Sequence, residues 1–163
     1  MPMAPFLSRF YDLAISEMRT LIIRNHPNLP DGTYGFLELY CDEPGCDCRR
    51  VTINVIEASN PMTVLTTISY GWEPEEFYGR WMRDVDRAKE AKGPSLDPIN
   101  PQSRYSATFL TLFREQLNDE AYIARLKRHY TLFRAASQQV TTTRPATSAI
   151  RTAKRKDRRK RSR

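Results

Sequence analysis

The chain has 163 residues, 40% of them hydrophobic and 28% charged, a composition that suits one globular domain and excludes collagen-like or wholly disordered chains. No apolar run approaches the roughly 20 residues of a membrane-spanning helix, and the opening MPMAPFLSRFYD lacks a basic-then-apolar leader, so a cytoplasmic protein without a membrane span is expected. The net charge of +7 is unevenly spread: residues 144–163 hold ten Lys or Arg against one acid, leaving 16 bases and 18 acids in residues 1–143. An odd count of three cysteines excludes a scaffold of internal disulfides.

In chain order, residues 5–25 read as a first helix, because Phe6, Phe10, Ala14, Met18 and Leu21 or Ile22 recur at three- and four-residue spacing. Pro27 and Pro30 end it, and Asp31-Gly32 signals a turn. Three strands follow. Residues 33–41 are rich in aromatic and branched side chains. Residues 50–57 alternate, with Val51, Ile53 and Val55 on one face. Residues 62–70 place Met62, Val64, Ile68 and Tyr70 together. Their short connections predict an antiparallel meander.

Pro74, followed by Glu75 and Glu76, opens a second helix predicted to reach Lys92, with Phe77, Trp81 and Val85 inward. After a proline-rich loop come a third helix over residues 106–117 (Phe109, Leu112, Phe113, Leu117 inward) and a fourth over 120–135. Asn118 or Asp119 would cap the fourth, whose stripe is Tyr122, Ile123, Leu126, Tyr130 and Phe133. Trp72, at a strand-to-helix junction, is expected to pack the sheet edge against the second helix. The fold class is therefore α+β: a small three-stranded antiparallel sheet covered by about four helices. One domain would span residues 1–136, and a disordered basic tail residues 137–163. That tail has too little apolar surface to offset the cost of ordering its backbone.

Chemistry concentrates in one place. Cys41, Cys46 and Cys48 fall within eight residues, Cys41-Asp42-Glu43-Pro44-Gly45-Cys46-Asp47-Cys48, between two predicted strands. Thiolates are preferred zinc donors, and zinc takes four ligands in a tetrahedron. Cysteines two apart on a regular strand stand about 6–7 Å apart, so sharing an ion requires the chain to bend, which Pro44-Gly45 permits. Only two histidines exist to supply a fourth donor. His129, on the edge of the fourth helix's stripe, is favoured over His26, with Asp42, Asp47 or water behind them. Arg49 and Arg50 would offset the site's net negative charge. A redox pair Cys46–Cys48 and inert buried thiols are the competing readings; the usual redox spacing C-x-x-C is absent.

The run Tyr40-Cys41-x-x-Pro44-Gly45-Cys46-Asp47-Cys48-Arg49, the Val-rich strand after it and Arg128-His129-Tyr130 resemble a group of uncharacterised bacterial proteins, some of which carry a C-terminal SEC-C zinc-binding motif. The resemblance implies metal binding and no particular activity. This chain departs from the SEC-C-bearing members in ending on a basic segment without cysteines.

Signatures of zinc deaminases, H-E-x-x-H metalloproteases, P-loops, dinucleotide-binding loops and G-x-S-x-G hydrolases are all absent. The expectation is a structural zinc site in a binding or adaptor module. The alternatives are a metal-dependent hydrolase with a zinc-bound water at the cysteines, and a thiol redox protein. Residues 144–163 would contact RNA or DNA nonspecifically, by counterion release. They contain no aromatic residue to stack on bases.

Overall fold

The computed structural model describes residues 2–142, with side chains to residue 138. Six strands form one antiparallel sheet: β1 (Met3–Pro5), β2 (Arg19–Ile23), β3 (Gly32–Cys41), β4 (Arg50–Glu57), β5 (Asn60–Gly71) and β6 (Ser95–Leu96). The spatial order is β1-β3-β4-β5-β6, and β2 also pairs with β3. The helices are α1 (Tyr11–Glu17), α2 (Glu75–Met82), α3 (Ala88–Lys92), α4 (Ser106–Gln116) and α5 (Glu120–Thr142). The α+β class and the central β3-β4-β5 meander are as expected, while the sheet has six strands rather than three.

The extra strands come chiefly from the first 25 residues, where one helix was expected. β1 lies along Leu39–Cys41, the chain loops out through a 3-10 turn (Phe6–Ser8) and α1, and β2 returns along residues 32–36 of the same strand. β3 is ten residues long, and both short strands satisfy the backbone groups on its outer edge, which would otherwise stand unpaired. Thr20, Ile22 and Ile23 favour this extended state over a helix.

One face of the sheet builds the core. Tyr34, Phe36 and Tyr40 of β3, Val51, Ile53 and Val55 of β4, and Ile68 and Tyr70 of β5 are all buried. α4 and α5 cover them: Phe109 packs on Tyr34 with ring centroids 5.0 Å apart, and Phe133 on Tyr40 at 5.8 Å. Phe113, Tyr122 and Leu126 complete the layer. Asp119 caps α5 as expected, its Oδ1 accepting the N–H groups of Ala121 and Tyr122.

Other expectations need correction. Met62 and Val64 are exposed rather than inward, because the first five residues of β5 are uncovered on both faces. The second helix breaks after Met82, where Arg83 adopts a left-handed conformation (φ 55°), and resumes as α3. Val85 falls in the break and is exposed, whereas Tyr78, Ala88 and Ala91 form the buried contact. Trp72 packs edge-on against Tyr130 of α5 (5.2 Å). α5 runs to Thr142, past its predicted end, and Ser137 is buried on it. Of the tail expected to be disordered over residues 137–163, residues 137–142 instead continue α5, and the rest lies outside the described residues.

Candidate metal centre

The site is built where β3 gives way to β4. Cys41 is the last residue of β3, and Cys48 lies two residues before β4 begins. The reversal is tight: the Cys46 N–H donates to the Glu43 carbonyl (3.2 Å), and Gly45 takes φ +73°, a region that costs a side-chain-bearing residue strain. This bend takes Cys46 and Cys48 out of strand geometry. The sulfurs of Cys41, Cys46 and Cys48 all lie within 4.8 Å of one another, close to the separation of about 3.8 Å that Zn–S bonds of about 2.3 Å impose in a tetrahedron. Cys41 and Cys48 are buried and Cys46 is partly so; none forms a disulfide. These donors are near enough to share one metal ion.

The surroundings act on the thiols in opposite directions. The backbone of Cys48 beside the Cys46 sulfur, and that of Arg50 beside the Cys48 sulfur, favour the ionised forms. Burial nevertheless pushes both thiols above their ordinary range, and the neighbouring Cys41 sulfur adds to this. Three thiols this close cannot all ionise without a counter-charge, such as a divalent cation would supply.

α5 and the N-terminal segment hold the turn in place. Arg134, buried on α5, donates through Nη1 to the carbonyls of Cys41 (3.0 Å) and Glu43 (2.9 Å). Arg9 bridges Asp42 (2.7 Å) and Ser137 (2.5 Å) and lies over the Phe133 ring. Its guanidinium holds the Asp42 carboxyl below the usual range. Beyond the cysteines, Arg49 pairs with Asp47 and Glu73 and stacks over Phe77, while its own carbonyl accepts from the Tyr78 hydroxyl (2.8 Å). Gly71 is required beside that hydroxyl, since a Cβ there would lie 2.3 Å from it. Cys48 and Asp97 both lie near the Arg50 guanidinium.

Of the expected fourth donors, none joins the sulfurs among the described residues. His129 is placed elsewhere. Its Nδ1 meets Glu38 Oε2 at 2.6 Å, its Nε2 meets Glu17 Oε2 at 2.7 Å, and its ring stacks on Phe6 at 4.2 Å. The reason lies in strand alternation: Glu38 and Tyr40 face the helices, and Cys41, one residue on, turns the other way. His26 accepts from the Asn28 N–H, and Asp42 and Asp47 are engaged by arginines.

Compared with known proteins, the chain matches no family model, no curated protein and no solved structure. The sequence reading missed Arg134, Arg9 and the Glu38–His129 pair. One signal existed: Tyr130, Phe133, Arg134 and Ser137 recur at three- and four-residue spacing, which continues the helical face past residue 135.

Proposed function

We propose that this protein binds one zinc ion through Cys41, Cys46 and Cys48, and that the ion's role is structural, within a binding or adaptor module. The observation that carries the reading is the convergence of three sulfurs on one bend whose carbonyls α5 fixes through Arg134. Thiolates are soft donors that select zinc over magnesium or calcium. Bridging the end of β3 to the start of β4 would close the connection where no regular hydrogen-bonded ladder does so, and binding energy of this kind is folding energy. The three thiolates leave one tetrahedral position for a donor from outside the described residues or from solvent. Reduced thiols fit a reducing compartment such as the cytoplasm.

The test is elemental analysis of the full chain purified under reducing conditions. About one zinc per chain is expected, with a melting temperature that falls on chelation. Metal-free protein of undiminished stability would overturn the reading. Cys46→Ser should lower zinc content well below one per chain.

A metal-dependent hydrolase is a second reading. It is favoured by the absence of a fourth His, Asp or Glu donor among the described residues and by a cavity that Cys48 lines. Zinc-dependent turnover of activated esters, lost in Cys48→Ser, would support it. The basic residues 144–163 supply a polyanion contact for RNA or DNA, which rests on their charge alone.

A further inference from the structure

The face of the sheet opposite the aromatic core carries a cavity of about 440 Å³, within the size range of small-molecule sites. Strand pairing explains what lies at its base. Arg50, Thr52 and Ser69 share this polar face, with Thr52 directly opposite Ser69 across β4 and β5. Met82, Ala91 and Leu96 give it apolar walls.

Arg50 is unlike the other arginines around the turn. Arg9, Arg49 and Arg134 all donate to named acceptors, whereas Arg50 Nε is buried with no hydrogen-bond partner among the described residues. A guanidinium cannot shed its charge, so an unmatched buried N–H remains a standing cost. Asp97, the carboxylate nearby, is already committed: its Oδ1 accepts the N–H groups of Ile99 and Asn100, and its Oδ2 faces the Ser69 hydroxyl at 3.4 Å.

We propose that this cavity binds a small organic monocarboxylate, its carboxylate on the Arg50 guanidinium and its apolar body against Met82, Ala91 and Leu96. The planar fork of arginine matches the two oxygens of a carboxylate. A phosphate dianion fits less well, because Glu90 and Asp97 also line the space and balance the charges of Arg50 and Arg87. The site requires no metal, so it stands apart from the zinc reading, although Cys48 borders it.

Isothermal titration calorimetry of the full chain, at measured zinc content, tests this with hexanoate, 3-phenylpropionate, their amides and inorganic phosphate. Saturable binding of one carboxylate per chain is expected, with no response to the amides. Arg50→Gln should weaken binding at least tenfold. Should Arg50→Gln fail to fold, Leu96→Trp, which fills the apolar wall, decides the matter by abolishing binding. No carboxylate binding at millimolar concentration, equal binding by the amides or the variants, or displacement by phosphate would each overturn the proposal. Zinc content is measured separately, so loss of one activity does not imply loss of the other.

Discussion

His129 shows how one side chain acquires its role from what faces it. It bridges Glu38, a carboxylate on the buried face of β3, and Glu17 at the end of α1. Tyr40 adds a hydrogen bond to Glu38 Oε2 at 2.8 Å, its hydroxyl also lying 3.0 Å from the Leu126 carbonyl. Arg128 pairs with Glu17. Removing one partner of such a buried pair leaves the other uncompensated, typically at about 3–5 kcal/mol. His129→Ala should therefore lower stability to urea by about 3 kcal/mol while zinc content stays at its wild-type value. Loss of zinc with little loss of stability would restore His129 as a ligand. Glu17 adds a pH dependence. Burial raises its carboxyl, but hydrogen bonds from His129 and Arg128 outweigh that and hold it below the ordinary value of 4.5. Its contribution is thus present above pH 4.5 and is lost as pH falls through the lower folded value. Glu17→Gln should flatten the acid limb of the stability profile, measured by denaturation between pH 3 and 6.

At the scale of elements, α5 is both a wall of the core and the anchor of the cysteine turn. Leu126 and Phe133 face the sheet, and Arg134, next along the chain, reaches two carbonyls of the turn. Arg134→Met keeps much of the side chain's bulk and removes the donors. It should cost about 1–3 kcal/mol for the carbonyls left unpaired and weaken zinc retention about tenfold, as loss of an outer-shell hydrogen bond does. Competition against a chromogenic chelator measures the second effect, and unchanged retention would separate α5 from the site. Helices α4 and α5 and strand β4 were legible because each carries its own period: Phe109 and Phe113 four apart, Val51, Ile53 and Val55 two apart. The N-terminal segment was not. Phe6, Phe10, Ala14 and Met18 do repeat at helical spacing, but the open edge of β3 competes for the same residues, and pairing with it prevails. The second helix likewise carried no marker for its break at Arg83, a residue that is neither glycine nor proline.

Across the molecule, the sheet separates two environments. One face holds the aromatic core under α4 and α5, and the other holds Arg50, Thr52 and Ser69 with α2 and α3 over it. No helix among the described residues is long and apolar enough to cross a membrane. Charge is segregated as well, with a mildly acidic 1–143 joined to a basic 144–163. Deleting residues 144–163 should leave the melting temperature unchanged and abolish salt-sensitive binding to a polyanion such as heparin or single-stranded RNA. Binding that survives the truncation would move the contact onto the folded part.

The spacing of the cysteines around Pro44-Gly45, the alternation of β4 and the stripes of α4 and α5 were determined by residues near one another in the chain, where local geometry decides which side chains share a face. What His129 touches, which edge the first 25 residues cover and where Arg50 lies depended on surfaces meeting from distant parts of the chain. Histidine has the same ring whether it meets a metal or a carboxylate. Only the packing of α5 on the face of β3 that carries Glu38, and not on the face to which Cys41 turns, chose between them.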